Sequence, residues 1–431
     1  MSNTQTYDVI IVGGGIGGVV SLKYAKSAGV NALLLERSSG IGGIWRNLPP
    51  WQDIQFRRED WTLGDVPISG EDQASIVANI EAWVDRFNLR SAIRLNSNVT
   101  LARCTADGWE ITAGDEIYRA RFLVAATGGH NRPVIPQPER SSSTVREFHS
   151  SQLRDPGELS GRDVIVVGGG ASAYDLLDLC FEHRARQVVW VYRNLKWMRP
   201  TQQVKYFAAD MRLYGRQQML GLPVEKMNRL VNVDLRARYE RAGIREIMPD
   251  YDFDFRRHQF IPGRRGMIKN FSRIKRHRAE ISRIEKGTAY LSNGQCVDAD
   301  HILWGTGYEL DLSYFGVAGL SRLRRLQELP PRCGSLFRSL DAPNLFFLAP
   351  AVLETSTSTP WAYAHAAKSI ISQICGNTVF DTRPVTDNVN YFDLVRFLAR
   401  RDRSNYFPVL WYLKYLYTSL RQPKALPMPL P

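Results

Sequence analysis

The sequence predicts an α/β fold that carries two dinucleotide cradles. Two stretches predict it, "YDVIIVGGGIGG" (7–18) and "DVIVVGGGASAYD" (163–175), each reading as a buried strand, a glycine turn and the start of a helix. The length agrees, because 431 residues exceed one simple core and suit two or three domains.

In the first stretch, residues 8–12 form a short run without the alternation of a half-exposed strand, as in buried parallel sheets. Gly13-x-Gly15-x-x-Gly18 then opens a helix, with Gly17 inside the same turn. Gly13 permits the tight turn, Gly15 lets backbone approach a pyrophosphate, and Gly18 lets helix and strand pack closely. The unpaired amides of the helix N-terminus face the phosphates. A second strand, "ALLLE", ends at Glu36, 18 residues after Gly18, and Arg37 follows. A carboxylate at that spacing accepts ribose hydroxyls and disfavours a 2′-phosphate, which suits the adenosine of FAD or NAD. Beyond it, Gly40, Gly42 and Gly43 form a further backbone-rich loop before Trp45.

In the second stretch, Gly168-x-Gly170-x-x-Ala173 opens the helix, with Ser172 in its first turn. Alanine at the third position still allows close packing. The next strand, "QVVWVY", ends in Arg193, with Lys196 and Arg199 close behind. A guanidinium there grips a 2′-phosphate, so this cradle reads as one for NADPH; the plain alternative is an exposed arginine at a strand end.

The chain resembles the class B flavoprotein monooxygenases, the family of flavin-containing, N-hydroxylating and Baeyer–Villiger enzymes. Their Gly-Gly-x-Trp is matched by Gly42, Gly43 and Trp45. Ala126, Thr127 and Gly128 match the turn where the chain leaves the FAD domain, and Gly305, Thr306, Gly307 and Tyr308 match the return. "APNLFFLAP" (342–350) resembles the last FAD-contacting strand, with Ala349 where the family has glycine. The resemblance implies two Rossmann-like domains, the NADPH domain inserted into the FAD domain. It divides the chain into a first FAD part (1–160), the insertion (161–299) and a second FAD part with a C-terminal helical tail (300–431). It also implies that a helix with Thr359 as N-cap, Pro360 first and Gly376 closing it aims its N-terminus at the flavin pyrimidine. Gln55, ten residues before Asp65, is the candidate catalytic-site amide, or else an ordinary polar loop residue.

One departure stands out. The family fingerprint Phe-x-Gly-x-x-x-His-x-x-x-aromatic keeps His149, but Ser143, Val145 and Leu153 replace the Phe, the Gly and the aromatic. His149 either positions the interdomain linker or is a surface histidine. The resemblance implies a cycle in which NADPH reduces FAD, dioxygen adds at flavin C4a, and one oxygen atom passes to a small organic substrate. The altered fingerprint moves the expected target from a ketone towards nitrogen or sulfur. The rivals are Baeyer–Villiger oxidation, a non-oxygenating reductase or oxidase, and a non-catalytic nucleotide-binding sensor.

The net charge of +13 gathers between Arg256 and Lys286 without a nucleic-acid-binding signature, and reads as a solvated basic face. It also suggests a carboxylated, phosphorylated or carrier-tethered substrate. Five scattered cysteines without a Cys-x-x-Cys pair argue for a reducing compartment and against disulfide reduction. No clustered ligand set suggests a metal. No apolar run reaches the ~18 residues of a membrane span. The N-terminus has no export signal, so the expected location is cytoplasmic. The aromatic tail "NYFPVLWYLKYLYTSLRQPK" reads as a packed helix, with a membrane-surface or dimer element as the alternative.

Overall fold

The computed structural model describes residues 5–54, 63, 66–200, 224–254, 257–258, 261–334, 337–348 and 359–376. In chain order the first sheet takes β1 (Gln5–Val12), β2 (Ala32–Leu35), β3 (Ile93–Arg94), β4 (Val99–Thr105), β5 (Gly108–Ala113) and β6 (Glu116–Ala125). Between them run α1 (Ile16–Ser27), α2 (Ile44–Asn47) and α3 (Gln73–Arg86). Next come β7 (Arg132–Pro133), β8 (Glu139–Ser141), β9 (Arg146–His149), β10 (Asp163–Val167), α4 (Ala171–Glu182) and β11 (Gln187–Tyr192). After β12 (Met198–Arg199) and α5 (Val224–Arg241) follow β13 (Ile261–Pro262), β14 (Ile274–Arg278), β15 (Ile281–Glu285), β16 (Thr288–Leu291) and β17 (Cys296–Asp298). The last described elements are β18 (His301–Trp304), β19 (Tyr308–Glu309), β20 (Leu345–Phe347) and α6 (Thr359–Ile374).

The first sheet has the order β3-β2-β1-β6-β5-β4, and β20 also joins β6. Its strands β3, β2, β1, β6 and β20 are parallel. The second sheet, β14-β11-β10-β18-β9, is parallel throughout. The two sheets therefore repeat one five-strand arrangement, with β10 in the place of β1 and β18 in the place of β6. Val9, Ile10 and Ile11 in β1, and Ile165 and Val166 in β10, have no exposed surface. Burial on both faces is why these strands show no alternation in sequence. Strands β9 and β18 lie just outside the span 161–299 expected for the insertion, yet both hydrogen bond into the second sheet. Pairing between strands so distant in sequence has no local signal.

Two helices illustrate the local rules. Asp72 caps α3 by accepting from the Ser75 amide at 2.9 Å. Helix α6 starts at Thr359 itself, one residue earlier than expected, and ends at Ile374, with Gly376 at φ +77° just beyond. Part of the basic stretch is taken up by pairs: Arg264 with Asp175, Arg276 with Glu246, Arg278 with Asp250 at 3.2 Å and Arg283 with Glu285 at 2.7 Å. All five cysteines are free thiols. Among the described residues no helix is long and apolar enough to cross a membrane, and no group of His, Cys, Asp and Glu could hold a metal.

His301 of β18 is 3% exposed, stacks on Phe148 at 5.8 Å, and has no partner for either ring nitrogen among the described residues. Burial lowers its pKa first, then the charges of Arg146 and Arg162, against weaker opposing effects of Asp300 and Glu158. The unfolded chain thus binds a proton near pH 6.5 that the folded chain refuses, so stability is full above that pH and falls below it, by up to about 1.4 kcal/mol per pH unit. We expect the thermal midpoint to drop between pH 7.5 and 5.5, and His301→Phe to make the drop smaller. Equal drops in both proteins would show that His301 carries none of it.

Candidate functional site

The site begins where β1 ends. Gly13 adopts φ +110°, and a Cβ there would meet Ala126 O at 2.6 Å. The chain leaving β6 therefore crosses directly over the turn. A Cβ on Gly18 would meet Gly13 O at 1.8 Å, so α1 packs tightly on its own strand. Gly15 caps α1 without any side-chain bond, and the first turn holds no acidic residue. Among the described residues the first amides of α1 thus have no side-chain partner, unlike those of capped α3. Gly43, at φ +60°, brings its backbone against Gly15, where a Cβ would lie 2.8 Å from the Gly15 Cα. Two glycine loops meet face to face at the helix N-terminus, so close that a side chain on Gly43 would press on the Gly15 backbone. Glu36 lies at the end of β2, 5% exposed. Its carboxylate accepts from the Gly14 amide at 2.5 Å and the Ser38 amide at 2.7 Å, which fixes it beside the turn with lone pairs to spare.

The second cradle repeats the device. Gly168 adopts φ +131°, and a Cβ there would meet Gly305 O at 2.2 Å. Ala173, in the third glycine's place, packs against Gly305. The Trp190 indole N–H braces the turn by donating to Gly168 O at 2.7 Å. Gly170 caps α4 without a side-chain bond, again with no acidic first turn. The Lys196 side chain runs past Gly170, where a Cβ would lie 3.5 Å from its Cδ. Arg193 is exposed just beyond β11 and pairs with Glu280 at 2.8 Å. Such an exposed pair is weak and readily exchanged for another anion.

Between the cradles, the two crossovers run side by side. Strand β7 pairs antiparallel with β19, and the Val134 amide donates to Gly307 O at 2.9 Å. Gly307 and Gly128, at φ +78° and +71°, carry these turns in conformations that favour glycine. His149 is fully buried, which corrects the surface alternative. Its Nε2 lies 3.0 Å from Gly307 O, and a carbonyl only accepts, so Nε2 carries the proton. Its Nδ1 then accepts from the Ser151 hydroxyl at 2.8 Å. Burial holds the His149 pKa below the usual range despite the bond to Gly307. Tyr308 sets its ring edge-on between His149 at 5.1 Å and His130 at 5.6 Å.

The expected residues divide. Gly13, Gly15, Gly18, Glu36 and Gly43 surround the first turn; Gly168, Gly170, Ser172 and Ala173 surround the second. Thr127 and Gly128 lie on the first crossover and Gly307 on the return. Gly17 instead faces packing, since a Cβ there would meet Tyr363 at 3.1 Å and Leu348 at 3.2 Å. Arg37 is exposed. Trp45 is half-buried, its carbonyl accepting from Gln73 at 2.6 Å. Gln55, Ala349 and the aromatic tail lie outside the described residues. Sequence reading missed His130, which is exposed with its ring set edge-on to Tyr308. Its signal was its position, two residues after Gly128.

Two sheets, each with a five-strand parallel arrangement and a glycine cradle at a strand end, define an oxidoreductase scaffold of the two-dinucleotide type. A family profile described as pyridine nucleotide-disulphide oxidoreductase matches residues 10–225, half of the chain, and the protein belongs to that family. The chain is 31% identical over 198 residues to FAD-binding monooxygenase VdtE of Byssochlamys spectabilis, covering 41% of this chain and 34% of that protein. It is 21% identical over 342 residues to flavin-containing monooxygenase 5 of Cavia porcellus, covering 71% of this chain and 62% of that protein. The chain spans about a third to a half of the length of the first curated relatives it matches. Among solved structures it resembles an open form of cyclohexanone monooxygenase, with a TM-score of 0.68 at 16% identity, covering 92% and 98% of the two chains. It likewise resembles OTEMO in complex with FAD and NADP, with a TM-score of 0.67 at 17% identity, covering 87% and 86%. The resemblance to flavoprotein monooxygenases and the predicted fold are borne out.

Gly15→Ala separates ligand space from packing. The nearest atom to the new Cβ is Gly43 Cα at 3.5 Å, an ordinary contact. We expect a stability loss of about 1 kcal/mol from the poorer cap but loss of bound flavin, measured by absorbance after reconstitution. Full flavin retention would place the pyrophosphate elsewhere.

Proposed function

We propose that the protein is an FAD-dependent, NADPH-consuming monooxygenase that transfers one oxygen atom from dioxygen to a small organic substrate. One observation carries the reading: two helix N-termini without a side-chain cap stand behind glycine turns whose neighbouring strands end in opposite charges, Glu36 and Arg193. Glu36 takes the ribose hydroxyls of FAD, and the α1 amides with Gly15 and Gly43 take its pyrophosphate. The α4 amides with Gly168 and Gly170 take the NADPH pyrophosphate, and Arg193 takes its 2′-phosphate in place of Glu280. When bound, FAD supplies hydride acceptance from NADPH and the activation of dioxygen. The chain's own part is to hold two cofactors against each other and to keep water from the reacting atoms.

Nitrogen or sulfur is the proposed oxygen acceptor, because Ser143 and Val145 stand where the ketone-oxidising fingerprint has Phe and Gly. The unit around the second cradle is proposed to run from β9 to β18.

The purified protein, reconstituted with FAD, is expected to be yellow and to consume NADPH and oxygen together with an amine or thioether. NADPH oxidation that yields only peroxide across amine, thioether and ketone panels would sink the oxygenase reading. Arg193→Gln should raise the KM for NADPH about tenfold or more and leave that for NADH nearly unchanged, whereas Glu280→Gln should not weaken NADPH. Equal effects of Arg193→Gln on both nucleotides would remove its phosphate role.

A further inference from the structure

The loop that follows the first cradle and the linker that enters the second sheet are joined by two side chains crossing in opposite directions. From the loop, the Trp51 indole N–H donates to Leu153 O at 2.6 Å. Its ring packs, half-buried, against the core cluster of the second sheet, which includes the fully buried Leu153. From the linker, Arg154 returns the contact. Its Nη1 donates to Leu48 O and its Nη2 to Asn47 O, both at 2.9 Å. One guanidinium fork thus holds two successive carbonyls where α2 ends.

Each end of this joint leads to a cradle. Helix α2 starts directly after Gly43, whose backbone rests on Gly15. On the linker side, the Gln152 amide donates to His149 O at 2.7 Å and Gln152 Oε1 accepts from the His149 amide at 2.9 Å. His149 then reaches Gly307 on the return crossover. A continuous set of contacts runs from the first glycine turn through Trp51 and Arg154 to the crossover beside the second. Position 153 is where the family fingerprint carries its aromatic residue, and here it is leucine.

We propose that Trp51 and Arg154 form a latch that sets the first cradle against the second. Trp51 supplies, from the opposite side of the linker, the aromatic contact that position 153 lacks. Both are positioning residues, since neither touches a cradle. Their effect on catalysis rests on the cofactor reading above; the latch itself does not.

Hydrogen exchange on the intact protein tests it without cofactor. Trp51→Phe keeps a ring and removes the donor; Arg154→Gln removes the fork, and Arg154→Lys keeps the charge. Each of the first two should speed exchange about tenfold in both segments, 44–54 and 146–154, with α1 and α4 unchanged. Arg154→Lys should recover part of the protection. With FAD bound, flavin reduction by NADPH should slow about tenfold while the NADP⁺ dissociation constant, read from flavin absorbance, stays within about twofold. Exchange that is unchanged, that rises in only one segment, or that rises throughout the molecule would overturn the latch. If both segments respond but the unaltered protein binds no nicotinamide, the latch stands and the reading of the second cradle falls.

Discussion

At each glycine turn, a crossover carbonyl occupies the space of a side chain. Ala126 O would lie 2.6 Å from a Cβ on Gly13, and Gly305 O 2.2 Å from one on Gly168. The contact exists because adjacent parallel strands end in register, Val12 beside Ala125 and Val167 beside Trp304. Each departing chain then passes over the turn of its neighbour. A residue larger than glycine would push the crossover away, and positive φ already disfavours one there. The helix N-terminus, the turn and the crossover are thus fixed by one steric exclusion, and the acid or arginine on the next strand is placed by the same sheet.

How much of this was legible follows from how local each signal is. The glycine turns, the strands around them, Glu36 and Arg193 are written within about thirty residues of one another, the length of a strand–helix–strand unit. The crossovers at 126–128 and 305–308 were legible only by resemblance, since a short Ala-Thr-Gly or Gly-Thr-Gly turn has many uses. That β9 and β18 complete the second sheet was not legible, because their partners are chosen by three-dimensional packing. The burial of His149 was hidden for the same reason: its acceptor, Gly307, lies 158 residues away. Gly17 adds a second role for a glycine inside the motif, since its missing side chain leaves room for Tyr363 and Leu348.

The two cradles differ in a way that bears on their proposed occupants. Glu36 is buried and held by two backbone amides, so its orientation costs nothing further when a ligand arrives. Arg193 is exposed and held only by an exposed carboxylate, so its partner can change without desolvating a buried charge. A preorganised acid suits a ligand that stays, and an exchangeable cation suits one that comes and goes. On the proposed assignment, the same strand-end position would serve permanence in one sheet and turnover in the other through a difference in both charge and burial.

On the latch proposal, the linker stays joined to the first cradle although its fingerprint residues differ. The ordinary fingerprint places its constraints within eleven residues of one segment. Here the histidine stays, but the aromatic ring comes from Trp51, about a hundred residues away in sequence, and a guanidinium fork is added beside it. Acceptors on both sides are backbone carbonyls, which no substitution at Asn47, Leu48 or Leu153 removes. Donors alone are then open to change, so the joint tolerates drift in the linker sequence as long as a tryptophan and an arginine face across it. The segment departs from the fingerprint, while Trp51 and Arg154 bond across it from both sides.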